Sequence, residues 1–417
     1  MPVSFLPISS PADSAAPHLC IVGGGFGGLY CALALQRYQR PSAPAFRITL
    51  IEPRDRFLFT PLLYEVLTDE LKPWEIAPSY QELLRPYAID HCQDWVEQID
   101  VHHQQITLRQ GEKLSYDYLV VATGSRLKPP ATPGSHHAIP FTTLEDAWAL
   151  EKRLAELESA ATEAHPIQVV VTGAGPSGVE LACKLADRLG RRGRITVLDR
   201  RAVILRSHAL SIQRAATRAL AKRGVAVFTD VALEAVEADR VIYWHREQCH
   251  HCPADLVIWT VGTIPQPWLG AAVPKQSPLA QCLVRPTLQL LDHDNVFVLG
   301  DLAEMPAPDR NRAPMTAQAA YQAAPLVARN LWAISHHRSL ESFQYHHLGN
   351  MLTLGKGDAV VAGFGLCLTG GLGAVARRWG YWLRLPTAKH RWRVLKHWLG
   401  LSRQWGETPA TRQHLRH

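Results

Sequence analysis

The chain has 417 residues, which is enough for two or three domains with substantial cores. Hydrophobic residues make up 47% and charged residues 19%, and this balance excludes a disordered or fibrous protein. The net charge of +7 favours an anionic partner, namely a nucleotide, a nucleic acid or an acidic membrane surface. No run of about 18 apolar residues occurs, so we expect no membrane-spanning helix.

Two further features of the composition bear on the compartment. Residues 1–16 are rich in serine, proline and alanine and lack a basic start, which predicts a disordered lead-in and not a secretory signal. The 8 cysteines are scattered over a long chain, so they do not form a disulfide framework. We therefore expect reduced thiols and a location on the cytoplasmic side.

A unit of strand, glycine turn, helix and second strand occurs twice. The first copy contains Gly23, Gly25 and Gly28, and its second strand ends at Glu52. The second copy contains Gly173, Gly175 and Gly178, and its second strand ends at Asp199. This is the spacing of a βαβ dinucleotide-binding unit.

Each residue type has a physical role in such a unit. The first glycine makes the turn, the second lets the backbone approach a pyrophosphate, and the third lets the helix pack closely on the strand. The helix N-terminus then faces the phosphates, and the acid accepts hydrogen bonds from ribose hydroxyls. One copy alone is open to interpretation as a tight turn without a ligand, whereas two copies predict two dinucleotides.

Shorter strands follow each copy, at Tyr118–Ser125, Asp255–Gly262 and Asn295–Asp301, with a charged helical connector from Leu144 to Ala161. Because the last strand ends in the same kind of glycine-containing loop as the earlier ones, we expect it to return to the first sheet. The pattern predicts an α/β protein with two Rossmann-like dinucleotide-binding domains, the second inserted in the first.

These motifs resemble those of flavoproteins with two dinucleotide-binding domains, whose later flavin motifs match Ala122–Gly124 and Gly300–Asp301. Narrower motifs resemble the type II NAD(P)H:quinone dehydrogenases, at Phe59–Leu63, Gly178–Glu180 and Ala317–Gln322. Four further segments resemble the plastid and cyanobacterial branch of this family, namely Tyr64–Leu67, Trp74–Pro78, Arg384–Thr387 and His390–Arg391. That branch is associated with reducing demethylphylloquinone and related prenylated quinones.

The resemblance implies where the cofactors bind. The implied FAD residues are Gly23, Gly25, Phe26, Gly27, Gly28, Glu52, Thr60, Pro61, Thr123, Gly124, Gly300 and Asp301, with Asp301 on the ribitol. The implied NAD(P)H residues are Gly173, Gly175, Gly178, Asp199 and Arg200, and Gly262 is a further cofactor residue. The corresponding ranges are 17–150 and 280–345 for the FAD-binding domain, 165–275 for the NAD(P)H-binding domain and 346–405 for a C-terminal membrane-surface region.

The same resemblance implies three catalytic residues. Glu180 would position the nicotinamide or relay a proton, although the helix dipole alone also favours an acid in a first turn. Gln318 and Gln322 are four residues apart, so they share one helix face and would hold a quinone carbonyl. Without the resemblance, an alanine-rich helix with glutamines is an ordinary solvated helix.

Cys249–Cys252 invites a metal or a redox-dithiol interpretation. Zinc usually takes four ligands from two separated pairs, and the chain has no second pair, so we predict no metal site. We expect a surface loop beside a hairpin.

The C-terminal stretch from Leu366 to Arg403 combines basic residues and tryptophans without an acid, and Pro386 divides it into two segments. In the second segment Trp392, Leu395 and Leu399 share one apolar face against a basic remainder. This pattern is typical of a helix lying on an anionic membrane with tryptophan at the headgroups. A packing or homodimer helix is the alternative, and no module for binding nucleic acid accompanies the stretch.

The predicted protein is therefore a peripheral membrane flavoenzyme of the thylakoid or plasma membrane. Hydride passes from NADH or NADPH to FAD, and two electrons pass to a prenylated quinone, either demethylphylloquinone in phylloquinone biosynthesis or plastoquinone. Asp199 favours NADH, whereas Arg200 and Arg201 favour NADPH. A ferredoxin reductase or a sulfide:quinone oxidoreductase is the alternative, and Cys183 and Cys367 are poor candidates for the cysteine pair of the latter.

Overall fold

The computed structural model describes residues 16–38, 45–128, 131–270, 273–308 and 312–401. The predicted lead-in, apart from Ala16, and the basic residue Arg403 lie outside this part of the chain. No helix among the described residues is long and apolar enough to cross a bilayer.

The strands are β1 (His18–Val22), β2 (Arg47–Ile51), β3 (Ile89–Cys92), β4 (Val96–Asp100), β5 (Gln105–Leu108), β6 (Lys113–Ser115), β7 (Tyr118–Val121), β8 (Ser125–Leu127), β9 (Ala138–Pro140), β10 (Ile167–Thr172), β11 (Gly193–Leu198), β12 (Ala226–Phe228), β13 (Val231–Val236), β14 (Arg240–His245), β15 (Gln248–Pro253), β16 (Leu256–Trp259), β17 (Thr263–Pro265), β18 (Cys282–Leu283), β19 (Val296–Val298), β20 (Ala303–Glu304), β21 (Asn350–Thr353), β22 (Ala359–Gly363) and β23 (Leu366–Thr369).

The helices are α1 (Gly28–Leu35), α2 (Pro73–Ile76), α3 (Tyr80–Leu84), α4 (Leu144–Ala160), α5 (Pro176–Leu189), α6 (Leu210–Lys222), α7 (Ala317–Ser335), α8 (Gly370–Trp382) and α9 (Ala388–Trp398). Four 3₁₀ helices lie between them, at Thr60–Thr68, Ser135–His137, Gly190–Arg192 and Gly300–Leu302.

Two parallel five-stranded sheets form the framework. The first has the order β19-β7-β1-β2-β3, so the late strand β19 joins the early strands. The second has the order β9-β16-β10-β11-β12. The two orders correspond strand by strand, which confirms that the repeat seen in the sequence is a repeat of structure. Strands β1 and β10 are buried almost throughout, because a parallel sheet is covered on both faces.

The described part of the chain divides into two compact units. The first unit comprises described residues of Met1–Leu58, Ser79–Ser135 and Thr260–Leu348. The second comprises described residues of Phe59–Pro78, His136–Trp259 and Gly349–His417. In this division the 3₁₀ helix Thr60–Thr68 belongs to the second unit, where it packs on α5, and the predicted domain ranges stay a prediction.

The C-terminal residues of the second unit form the antiparallel sheet β21-β22-β23 followed by α8 and α9. As predicted, Pro386 lies between the two helices, and the hydroxyl of Thr387 caps α9 by accepting a hydrogen bond from the His390 N–H. The inward face of α9 is His390 and Val394. Of the predicted apolar face, Trp392 and Leu399 are exposed and Leu395 is half-buried.

Candidate active site

The first glycine turn lies in the first unit, between β1 and α1. Gly23 has φ of +98° and donates its N–H to the Ile51 carbonyl at 2.9 Å. A Cβ at Gly23 would lie 2.5 Å from the Ala122 oxygen, and a Cβ at Gly28 would lie 1.8 Å from the Gly23 oxygen. Packing therefore requires both glycines. A Cβ at Gly25 would meet no atom within 4 Å, so the glycine there leaves space for a ligand.

Glu52 is buried at the carboxyl end of β2 and fixes this turn. Its Oε2 accepts the Gly24 N–H at 2.8 Å, and its Oε1 accepts the Arg54 N–H at 3.2 Å. The Tyr80 hydroxyl donates to the Gly24 carbonyl at 2.8 Å. The carboxylate is thereby positioned beside the backbone that would cradle a pyrophosphate.

Three further polar residues of the first unit, Thr123, Ser125 and Asp301, are suited to binding the part of a dinucleotide beyond its pyrophosphate. Thr123 Oγ1 is buried without a hydrogen-bond partner among the described residues, and Gly124 beside it has φ of +73°. Ser125 Oγ donates to Asp301 Oδ2 at 2.6 Å, while burial raises the pKa of Asp301. Gly300 has φ of +76° and carries Asp301 out of the sheet. A half-buried acid and an orphaned hydroxyl are groups that could hydrogen-bond to a bound FAD.

A cluster of aromatic rings packs beside the first glycine turn. Of its members, only Phe26 was predicted from the sequence. The ring of Phe26 stacks on Tyr30 with centroids 5.8 Å apart and meets Phe57 edge-on at 5.4 Å. Tyr30 meets Tyr321 of α7 at 4.9 Å. Phe26 thus packs the start of α1, and a Cβ at its neighbour Gly27 would lie 3.0 Å from the Ala122 side chain, closer than an ordinary van der Waals contact.

The second glycine turn repeats this design in the second unit. Gly173 has φ of +101°, and its N–H donates to the Leu198 carbonyl at 2.7 Å. A Cβ at Gly175 would again meet no atom within 4 Å, and Gly178 is buried in the first turn of α5. Asp199 follows β11 and accepts the Ala174 N–H at 2.5 Å and the Arg201 N–H at 2.7 Å.

The remaining predicted cofactor residues divide between the units. Arg200 is exposed beside Asp199 in the second unit. Thr60 and Pro61 begin the 3₁₀ helix of the second unit. Gly262 belongs to the first unit, where its φ is +81° and its carbonyl accepts the Lys128 N–H at 3.0 Å.

Glu180 is buried in the second turn of α5, not in the first turn as expected from the sequence, and it faces other ionisable groups of the second unit. Its Oε1 accepts the Thr353 N–H at 2.9 Å and lies 3.5 Å from Nη2 of Arg377 on α8. Burial raises the pKa of Glu180 to about 7, although Arg377 and the Thr353 N–H oppose the shift. A helix dipole alone gives an acid no such surroundings, and a carboxyl that titrates near neutral pH is suited to proton transfer.

Sequence reasoning missed the partners of Glu180. Arg377 is itself buried and donates to Glu65 Oε1 and, at 2.7 Å, to the Pro61 carbonyl. Lys184, one turn after Glu180 on α5, is 1% exposed and pairs with Glu70, while its Nζ lies 3.9 Å from Glu65 Oε1. The only signals in the sequence were the motif that contains Glu65 and the basic character of the C-terminal stretch.

Gln318 and Gln322 lie in the first two turns of α7, and both bind the segment that precedes β21. Gln318 Oε1 accepts the Tyr345 hydroxyl at 2.9 Å and the Leu348 N–H at 3.0 Å. Gln322 pairs with the backbone of His346, donating to its oxygen at 2.8 Å and accepting its N–H at 3.0 Å. The two side chains therefore have a positioning role, which the sequence did not predict.

Residues 17–324 match the family model described as pyridine nucleotide-disulphide oxidoreductase. The chain belongs to this family. It is 40% identical to the demethylphylloquinone reductase NdbB of Synechocystis over 92% of this chain and 96% of that protein. It is 34% identical to the alternative NAD(P)H-ubiquinone oxidoreductase C1, chloroplastic/mitochondrial, of Arabidopsis thaliana over 94% of this chain and 82% of that protein.

Comparison of structures agrees at the level of the fold. The structure of NDH2 from Plasmodium falciparum in complex with NADH superposes with a TM-score of 0.81, at 18% identity, over 93% of this chain and 99% of that chain. The predicted resemblance to the type II NAD(P)H:quinone dehydrogenases and the predicted oxidoreductase class are confirmed. As a member of this family, the chain uses FAD and NAD(P)H.

Although the family takes part of its name from a disulphide, all 8 cysteines of this chain are free. Cys249 and Cys252 lie on β15, so the expectation of a loop was wrong. Three residues apart on a strand, they point to opposite faces of the sheet and cannot pair. Burial raises the pKa of Cys183 to about 12, and Cys367 is exposed on β23, so neither resembles an activated thiolate of a sulfide-oxidising site.

Proposed function

We propose that this protein is an FAD-dependent NAD(P)H:quinone oxidoreductase that acts on a prenylated quinone, namely demethylphylloquinone. Two glycine turns with open space at their middle glycine, one in each unit, carry the proposal for two dinucleotides. The 40% identity to a demethylphylloquinone reductase supports the choice of quinone. In this proposal the first unit supplies a Rossmann-like FAD domain and the second a Rossmann-like NAD(P)H domain.

The residues have separable tasks in this reaction. The turn at Gly25, with Glu52, Thr123 and Asp301, would hold FAD in the first unit. The turn at Gly175, with Asp199 and Arg200, would hold NAD(P)H in the second. FAD supplies the acceptor for the nicotinamide hydride and the donor of two electrons to the quinone. Glu180 holds a proton near neutral pH, and Gln318 and Gln322 position the segment Tyr345–Leu348.

Turnover with a panel of acceptors tests this function. We expect the purified, yellow protein to oxidise NAD(P)H with naphthoquinones carrying a prenyl chain faster than with ferricyanide, sulfide-derived acceptors or ferredoxin. Protein that binds both nucleotides and reduces no quinone would contradict the proposal. Reduction of quinone by sulfide instead of NAD(P)H would favour the sulfide:quinone alternative.

A Gln322→Leu substitution is expected to slow quinone reduction by about 5- to 150-fold, because the two hydrogen bonds to His346 are lost and the segment beside α7 loosens. Stopped-flow measurements should show an unchanged rate of flavin reduction by NAD(P)H. Gln213→Leu is the matched control, since that amide also donates to backbone carbonyls, those of Leu205 and His208, in the second unit. Slowing of the nicotinamide step alone would contradict the assignment.

Nucleotide preference is expected to depend on Arg200 and Arg201, which follow Asp199 and are exposed. Their guanidinium groups are suited to a 2′-phosphate, whereas the Asp199 carboxylate repels it. Replacing both arginines by alanine should raise the KM for NADPH much more than that for NADH. The same change at Arg191 and Arg192, at the opposite end of β11, is the control for net charge, and equal KM changes for both nucleotides would exclude a phosphate clamp.

An exposed apolar ridge in the second unit supports docking on a membrane surface. The ridge contains Leu372, Val375 and Trp379 of α8 and Leu383 at its C-cap, which follow one another at helical spacing. The β22–β23 turn adds Phe364, which is 84% exposed, and β23 adds Leu366. Such a ridge beside basic side chains suits the interface of an anionic bilayer. Trp398, by contrast, donates its indole N–H to Glu75 at 2.7 Å and holds α9 to α2.

Leu372→Glu is expected to abolish sedimentation of the protein with anionic liposomes while FAD stays bound, because a charge in the ridge opposes its insertion between lipids. Leu210→Glu is the matched control, since both leucines are highly exposed in the first turn of a helix of the second unit. Sedimentation of the wild type should also fall with added salt. Equal binding by both variants would favour the alternative that α8 and α9 form a homodimer interface. We place the docked protein on the cytoplasmic side, at a thylakoid or plasma membrane.

A further inference from the structure

Five ionisable side chains form a buried charge cluster in the second unit. They are Glu65 and Glu70 from the segment that begins with the 3₁₀ helix, Glu180 and Lys184 from α5, and Arg377 from α8. Four of them are less than 10% exposed, and Glu70 reaches the surface with 20% of its side chain accessible. The quinone chemistry proposed above assigns a task to Glu180 alone, so the rest of the cluster is unexplained.

The contacts form a continuous series that leads from buried Glu180 to Glu70 near the surface. Glu180 lies 3.5 Å from Arg377, and Arg377 is hydrogen-bonded to Glu65. Glu65 lies 3.9 Å from the Lys184 ammonium. Lys184 is hydrogen-bonded to Glu70, which accepts the Thr68 hydroxyl at 2.5 Å and the Gly357 N–H at 3.2 Å.

The charges of the cluster do not balance. Three carboxylates face two cations, so the fully ionised cluster has one excess negative charge, and a single added proton makes it neutral. Burial disfavours an uncompensated charge, so the cluster tends to keep one proton. Glu70 is not its site, because Lys184 and two further hydrogen bonds hold the pKa of Glu70 below its usual range despite burial. The proton resides on Glu180, because burial raises the pKa of this carboxyl to about 7.

Two polar atoms of the cluster are left over. Glu65 Oε2 and Arg377 Nε are buried and have no hydrogen-bond partner among the described residues. A network that served stability alone would satisfy such atoms, since each orphaned group costs free energy. The arrangement therefore favours a cluster whose charge changes during the reaction.

The proposed function already makes Glu180 the store of a proton, and we propose that Lys184, through its contacts with Glu65 and Glu70, is the positioning residue that sets how readily Glu180 releases it. The inference rests on the proposed function, which needs such a store. Reduction of a quinone by NAD(P)H follows NAD(P)H + H⁺ + quinone → NAD(P)⁺ + quinol. The hydride brings two electrons and one proton, so the second proton comes from outside the nucleotide.

The groups that face Glu180 come from four elements, and each acts in a known direction. Arg377 and Lys184 favour the ionised carboxylate, as does the Thr353 N–H from β21. Glu65 disfavours it. The hydroxyls of Tyr64 and Tyr381 also lie near Glu180, and burial raises the pKa of both so far that they stay neutral in the working range. Lys184 is thus the one cation among these groups that itself pairs with an acid near the surface.

Infrared titration of the holoenzyme tests the proposal without turnover. The carboxylic-acid C=O band of Glu180 is assigned by its loss in Glu180→Gln, and its disappearance with rising pH gives the pKa. Lys184→Met removes a cation, so we expect the midpoint to rise by about one pH unit or more. Glu70→Gln releases Lys184 from its acid, so we expect the opposite shift, and Lys184→Arg should restore the wild-type midpoint.

Arg188→Met is the matched control, because Arg188 lies one turn further along α5 and pairs with Glu151 and Glu158 outside the cluster. Equal shifts in Arg188→Met and Lys184→Met, or shifts of the same sign in Lys184→Met and Glu70→Gln, would overturn the proposal. Glu70→Gln keeps the test decisive if Lys184→Met does not fold, because its midpoint must fall. An unshifted band in variants that still reduce quinone would overturn this inference alone, whereas a wild type without quinone turnover would overturn the proposed function.

Discussion

A Gly25→Val variant is expected to fold and to be purified without FAD. A Cβ at Gly25 meets no atom of the protein within 4 Å, and the residue lacks the positive φ that makes Gly23 intolerant of a side chain. The added side chain therefore occupies only the space in which the second glycine of a dinucleotide unit admits the pyrophosphate. We expect FAD affinity to fall by at least about 100-fold, or roughly 2.8 kcal/mol, as measured by flavin fluorescence on titration of the apoprotein.

Two other glycines provide the controls. Gly28→Val should not fold, because its Cβ would lie 1.8 Å from the Gly23 oxygen. Gly175→Val, at the matching position of the second unit, should keep FAD and lose NAD(P)H binding. Retention of FAD by Gly25→Val, with a circular dichroism spectrum like that of the wild type, would show that the first turn does not hold a pyrophosphate.

The glycine turns were predictable because their physical requirements are local. A turn with positive φ and a close helix–strand contact leave glycine as the residue that fits, so Gly23 and Gly28 are readable from sequence. The return of the late strand to the first sheet was predicted as well, because the segment Asn295–Asp301 is an apolar run that ends in a glycine loop like the earlier ones. The open space at Gly25 and Gly175 is the structural counterpart of the second glycine in each motif.

The surroundings of Glu180 were not predictable in this way. Its partners Glu65 and Arg377 are far from it in sequence. Glu65 comes close because the 3₁₀ helix packs on α5, and Arg377 because its side chain reaches Glu180 from α8. The sequence motif identified the acid but gave no sign that it is buried. The same holds for Gln318 and Gln322, because the segment they bind follows α7 without a regular pattern of its own. The prediction of a loop at Cys249–Cys252 was wrong because of the local sequence itself. Strand β15 lacks the alternation of apolar and polar residues by which a strand is recognised.

An Arg377→Met variant is expected to be destabilised by about 3–5 kcal/mol at pH 8, because it leaves Glu65 and Glu180 buried without their shared cation. The loss should shrink as the pH falls. Arg377 opposes the upward shift in the pKa of Glu180, so its removal raises that pKa further above the value in the unfolded chain. The folded state then binds more protons than the unfolded state, and its stability declines as pH rises through this range.

Measured Tm values at pH 5.5 and pH 8 should therefore lie further apart in Arg377→Met than in the wild type, with the lower value at pH 8. Arg240→Met is the control, since Arg240 pairs with Glu237 and Asp239 at the surface of the same unit, where an ion pair contributes about 0–1 kcal/mol. A double variant with Glu65→Gln should recover part of the loss, because one of the two stranded charges is gone. A Tm deficit in Arg377→Met that is the same at both pH values would mean that Arg377 acts through packing and its bond to the Pro61 carbonyl, and that it does not govern the ionisation of Glu180.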